Sequence, residues 1–192
     1  MNLYRFTAIT VLCAAAASAQ PAVTPCAGLP PGKHSLLERL TAEFGLTCEQ
    51  QLKVEPLLHD EESVTKPLLK FSSISPEERQ EIMLTIKLAA RRQVRTVLTA
   101  EQQKGMDKEV ENVSKGGGGG GKKGGANKVE AAPGLDGEET LSKAIVNYVA
   151  LTPEEKKAML LKVKQAARND SALQLTPEQQ QKLDAEIVEL KK

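Results

Sequence analysis

The 192-residue sequence predicts an all-α fold of amphipathic helical hairpins, arranged as two homologous helical units joined by a flexible glycine-rich linker. Three observations carry this reading. Ser/Thr-led helix-start phrases recur along the chain, apolar residues follow them at spacings of three and four, and no stretch alternates apolar and polar residues over a strand's length.

From the N-terminus, Met1 to Arg5 carries one positive charge, Phe6 to Ala17 is a short apolar run, and Ala17-Ser18-Ala19 supplies small residues of the kind signal peptidase cleaves after. Residues 1–19 are therefore expected to be a secretory signal peptide, with a mature start at Gln20 and a periplasmic or secreted destination. The run is too short to span a bilayer as a helix, although an uncleaved anchor is the alternative. Bulky Leu12 ahead of Cys13 argues against a lipoprotein site. No second apolar stretch follows, so no integral membrane segment is expected after cleavage.

Residues 20–34 form an N-terminal arm, and residues 35–114 the first helical unit. Ser35 with Glu38 opens a short helix, which Gly45 is placed to end. Five further phrases follow: Leu46-Thr47-Cys48-Glu49-Gln50, Ile74-Ser75-Pro76-Glu77-Glu78, Leu98-Thr99-Ala100-Glu101-Gln102, Leu151-Thr152-Pro153-Glu154-Glu155 and Leu175-Thr176-Pro177-Glu178-Gln179. In each, the Ser or Thr is an N-cap whose hydroxyl accepts a first-turn N–H, and the Glu or Gln three residues on reaches back to the cap's own N–H. Proline at the first helical position loses nothing by lacking an N–H. Pro56 and Pro67 interrupt the segment from Thr47 to Phe71, where a kink or break is expected. Ile82, Ile86, Ala90, Val94 and Val97 make one apolar stripe, Met106, Val110 and Val113 a second, and Leu183, Ile187 and Leu190 a third.

The glycine-rich segment 115–137 holds ten of the fourteen glycines, Gly116 to Gly121 in one run, and is expected to be a flexible linker. Lys122 and Lys123 after the glycines suggest a phosphate-cradling loop, but no strand precedes them and no Gly-Lys-Ser/Thr opens a helix behind them. On either side the chain repeats itself. Residues 61–115 lie on 138–192 without a gap at an offset of 77, matching Glu61 with Glu138, Lys66 with Lys143, Pro76 with Pro153, Arg91 with Arg168, Thr99 with Thr176, Gln102 with Gln179 and Asp107 with Asp184. The apolar register is kept as well: Ile82 with Met159, Ile86 with Val163, Met106 with Leu183 and Val110 with Ile187. Residues 138–192 are thus a second, partial unit that repeats 61–115.

Composition limits function. Without Arg5 the 26 basic residues become 25, balancing 25 acidic ones, and the charges are interspersed, so no nucleic-acid footprint or polybasic membrane surface is expected. Beyond the signal segment the aromatics are Phe44, Phe71 and Tyr148. Cys26 and Cys48 face an oxidising compartment and form the candidate disulfide, two unpaired thiols being the alternative. Arg91, Arg92, Arg95 and Arg168 lie opposite the apolar stripes; they are either a solvated face or client-facing basic residues. His34 and His59 are weak candidates for a metal, since the two are far apart and no CxxC or HxxxH occurs. No cofactor is expected. No nucleophile with a plausible base partner is present, so the chain is not expected to be an enzyme.

The phrase Leu-Thr-x-x-Gln at Leu46–Gln50 and Leu98–Gln102, with a third instance at Leu175–Gln179, resembles the LTXXQ-motif family of periplasmic helical proteins, which includes the Spy and CpxP chaperones and zinc-resistance proteins. The resemblance covers residues 44–115 and, in part, 138–192. It implies an ATP-independent periplasmic holdase whose partners are unfolded or partly folded proteins, working as a thin helical dimer. The second unit departs from the family and suggests an intrachain pseudo-dimer in place of a homodimer. The alternatives are a metal-responsive or zinc-resistance-type member of the family, and an adaptor docking on one dedicated partner.

Overall fold

The structure, a computed structural model, describes Cys26, residues 35–114 and residues 135–192, the side chains of Ser35, Asn112 and Val113 aside. The expected signal segment 1–19, the arm 20–34 apart from Cys26, His34, and residues 115–134 of the expected linker lie outside the described residues. Within them the fold is all-helical: α1 Ser35–Phe44, α2 Cys48–Lys70, α3 Pro76–Val97, α4 Ala100–Ser114, α5 Leu135–Asn147, α6 Pro153–Asn169 and α7 Pro177–Lys191, with a 3-10 turn at Ser171–Leu173.

The helix starts follow the local code. Thr47, Ser75, Thr152 and Thr176 each accept from the N–H three residues on, while Gln50, Glu78, Glu155 and Gln179 reach back to the cap N–H. Thr99 and Gln102 exchange the same two bonds at 2.9 and 3.4 Å. Each such cap contributes about 1 kcal/mol. Gly45 ends α1 at φ +62°, donating its N–H to the Thr41 carbonyl, in a conformation that glycine alone adopts without strain.

Two sequence expectations are corrected. Of the kink or break expected after Thr47, the break is what the structure corrects: α2 is one helix of 23 residues with Pro56 and Pro67 inside it. The carbonyls that lose a partner belong to Leu52 and Ser63, both exposed, so water can serve them. Val54, Val64 and Leu68 on the other face are fully buried, and that packing outweighs the local cost. The second correction concerns the linker, whose expected end at residue 137 falls inside α5, at the third residue of that helix.

Several helix bounds coincide at the offset of 77. α3 and α6 start at equivalent prolines, α4 and α7 span equivalent residues, and α2 and α5 end at equivalent residues. Buried Glu61, Val64, Leu68, Phe71 and Ile74 correspond to buried Glu138, Leu141, Ile145, Tyr148 and Leu151. One apolar core takes all of these apolar side chains together, with Ile82 and Ile86 of α3, Met159, Val163 and Ala167 of α6, and Leu183 of α7. α2, α3, α5 and α6 therefore enclose one interior, with α4 against α3 and α7 against α6. A second core belongs to the first copy alone. There Leu37 and Leu40 of α1 meet Leu46, Val54, Val94, Leu98 and Met106. The α1–α4 approach is close, and a Cβ on Gly105 would lie 2.7 Å from the Phe44 ring. The second copy lacks a Phe44 equivalent and carries Lys182 at the position matching Gly105.

A core shared by both copies makes their unfolding interdependent. Leu68→Ala in the first copy and Ile145→Ala in the second are each expected to cost about 3 kcal/mol. Both should shift a single calorimetric transition; two separate transitions, only one of them moved by each substitution, would contradict the shared core.

Candidate functional site

In the first copy, the two Leu-Thr-x-x-Gln motifs meet. Once Gln50 and Gln102 have closed their own capping boxes, their side chains turn to each other: Gln50 Nε2 donates to Gln102 Oε1 at 2.8 Å, and Gln102 Nε2 donates to Gln50 Oε1 at 3.3 Å. Gln50 Nε2 also donates to the Val97 carbonyl at the end of α3, and Gln102 Nε2 to the Phe44 carbonyl at the end of α1. Each glutamine thus starts one helix and ends another. Leu46 and Leu98 are buried beneath them. In the second copy Leu175 packs against the shared core, but Gln179 is exposed. No second motif exists there to pair with it, because the position equivalent to Gln50 is Asn127 in the glycine-rich segment. The motif is a structural joint wherever two copies of it meet.

Cys26 and Cys48 are joined by a disulfide, 22 residues apart in sequence, that fastens the chain at Cys26 to the first turn of α2. Closing a loop of that length contributes about 3 kcal/mol through the unfolded state.

The four arginines offered as a basic face are all ion-paired. Arg91 is corrected outright: it is buried, 4% exposed, and cannot meet a client. It sits between two carboxylates, Glu61 of α2 at 3.0 Å and Glu109 of α4 at 3.4 Å, and Arg39 of α1 reaches Glu109 from outside. Arg92 pairs with Glu155, Arg95 with Asp107 and Arg168 with Asp184. Sequence reasoning missed the acidic partners because each lies on another helix.

Between the copies the buried triad shifts its base by one helical turn. Glu138 and Glu186, the equivalents of Glu61 and Glu109, are bridged by Lys164 at 3.0 and 2.6 Å. Lys164 is the equivalent of Lys87, not of Arg91. The cause lies at Arg95, whose equivalent is Ala172. Arg95 holds Asp107 in the first copy; in the second, Arg168 swings to Asp184 and leaves the two glutamates to lysine. Burial works against the Lys164 ammonium, but Glu186 and Glu138 outweigh it and hold its pKa above the ordinary lysine value. At Glu61 the balance falls the other way, and burial lifts its carboxyl above the usual range against the pull of Arg91. Tyr148, at the end of α5, brings its phenol beside this pair. Burial, then the charges of Glu61 and Asp60, push its pKa up, and its hydroxyl has no hydrogen-bond partner among the described residues.

His59 is exposed on α2, and among the described residues no three His, Cys, Asp or Glu side chains group as a metal site. A family-model scan and searches of curated proteins and of solved structures return no match to the chain.

The raised Glu61 carboxyl has a signed consequence. Its contribution to stability is full below the unfolded value, near 4.5, and is lost as pH rises through the higher folded value. Glu61→Gln, which never ionises, is expected to gain in stability relative to the parent as pH goes from 4 to 8. Thermal unfolding across that range measures the difference, and an opposite slope would show that the Arg91 attraction dominates.

Proposed function

We propose that the chain is an ATP-independent holdase of the LTXXQ kind, exported to the periplasm, that binds unfolding proteins and keeps them from aggregating. The observation that carries this reading is an apolar position left open in both copies: Leu69 is 51% exposed on α2, and its equivalent Val146 is 52% exposed on α5. Val149, in the turn after α5, is 69% exposed. An isolated exposed leucine would be ordinary. The same position left uncovered in both copies, on helices whose opposite faces pack into the core, suits a surface that meets apolar segments of other proteins.

The Gln50–Gln102 joint supports the kinship that the motifs suggest. A shared core favours the pseudo-dimer within one chain over a homodimer of chains. Clients would be held chiefly by apolar contact, since Arg92, Arg95 and Arg168 spend their charge inside the molecule.

The purified chain, without nucleotide, is expected to suppress aggregation of three unrelated unfolding proteins, equally with zinc added or chelated. Protection of one protein alone would favour a dedicated adaptor, and protection that needs zinc would favour a metal-responsive member. Replacing both Leu69 and Val146 by serine is expected to weaken protection several-fold while leaving stability within about 0.5 kcal/mol, as for surface changes. Unaltered protection in that variant would remove this surface from the reading.

A further inference from the structure

Three polar contacts cross from α3 and the loop before it to α6. Arg92 donates two hydrogen bonds to Glu155 at 2.8 and 2.7 Å, Lys162 pairs with Glu81 at 2.5 Å, and the Ser73 hydroxyl donates to Asp170 at 2.5 Å. As contacts advance along α3 they retreat along α6, so the two helices run antiparallel. In the numbering of the first copy, Glu155 corresponds to Glu78, Lys162 to Thr85 and Asp170 to Gln93. The seam therefore has the form of a two-fold interface with its midpoint near Met83 and the equivalent Leu160. In such an interface, a contact from residue i to residue j implies its mate from j to i.

The mate of the Arg92–Glu155 contact is Asn169 facing Glu78. Both residues line an open cleft of about 660 Å³ at the other end of the seam, together with Ser73, Asp170 and Gln165. At the filled end, Glu155 caps α6 through Thr152 and still takes a hydrogen bond on each oxygen from Arg92 Nη2. At the open end Glu78 caps α3 through Ser75 in the same way, but only through Oε2. Glu78 Oε1 takes no hydrogen bond among the described residues. Asn169 is several bonds too short to do what Arg92 does. Asp170 adds a second carboxylate, held by Ser73 and the Ala172 N–H, with lone pairs to spare.

We propose that this cleft receives the guanidinium of an arginine side chain from a bound polypeptide, with Glu78 in the role that Glu155 plays toward Arg92. One guanidinium nitrogen spanning both oxygens of a carboxylate is the contact already realised at the filled end, and a guanidinium keeps further N–H donors for the neighbouring Asp170, where lysine offers one compact point charge. The cleft is polar and has no aromatic wall, which sets it apart from the apolar positions at Leu69 and Val146. The assignment goes beyond the holdase reading and stands without it, because it concerns one side chain and needs no unfolding client.

The test is titration of the full chain with a short capped glycine peptide carrying a central arginine, followed by amide NMR shifts at Ser73, Glu78 and Asp170. The same peptide with citrulline or lysine in the centre is the control. The arginine peptide is expected to bind about tenfold more tightly than the citrulline peptide, the value of one charge-assisted contact. Glu78→Gln keeps a side chain able to close the capping box and should erase that preference. Asn169→Arg, which installs the arginine of the filled end, should abolish binding and raise the melting temperature. Equal binding of arginine and citrulline peptides, no saturable shift, or unchanged affinity in Asn169→Arg would each overturn the proposal. Peptide binding without aggregation suppression would sink the holdase alone, and suppression without peptide binding would sink the cleft alone.

Discussion

The constraint on which the rest of the structure depends is burial of the α2–α3 apolar stripe against α5 and α6. A pair of amphipathic helices has one apolar face and nothing of its own to close it. In the first copy, α1 and the N-terminal half of α2 cover the far part of that face around Leu40, Val54 and Met106. The near part, around Leu68, Phe71, Ile82 and Ile86, is closed only by the second copy. The second copy has still less of its own. Its α6 ends five residues before the point equivalent to the end of α3, and a 3-10 turn folds back so that Leu173 packs on the shared core. Each copy completes the other.

Around that core, charge is arranged so that few buried ions stand alone. The two triads use the same two glutamate positions but different bases, so what the copies share is the pairing and not the residue that performs it. Breaking either triad from one side would strand a buried charge, the costly outcome for such groups. The unpartnered oxygen of Glu109 and the hydroxyl of Tyr148 mark where the network is incomplete among the described residues.

What the sequence made legible was what local chemistry decides. The capping phrases fixed every helix start they preceded, since cap and reach-back residues are three apart and answer only to each other. The stripes at Ile82–Val94 and Leu183–Ile187 named buried residues because period and burial are linked. The offset of 77 foresaw the equivalent starts of α3 and α6 and the equivalent spans of α4 and α7. Illegible features all needed a second element. Arg91 and Arg168 are identical aligned residues, yet one is buried between glutamates and the other lies at a half-open aspartate, decided by an arginine-to-alanine difference four residues on. Pro56 reads as a breaker until α1 and α3 are seen to hold both sides of α2. Gln50 and Gln102 each read as one half of a cap, and their mutual bond appears only when α1 turns at Gly45 and brings the motifs together.

The antiparallel seam has a consequence for how such a chain can change. In an assembly of identical subunits, any residue at a two-fold seam occurs at both ends, so a substitution that suits one end is imposed on the other. Here the partners are written at separate places in one sequence, and each end answers to its own codon. Arg92 against Glu155 closes one end, while Asn169 beside Glu78 leaves the other open. A strictly symmetric pair must close both or open both. Two matching stretches written in one chain can therefore differ at the two ends of their seam, one closed by an ion pair and the other lined by Glu78 and Asn169.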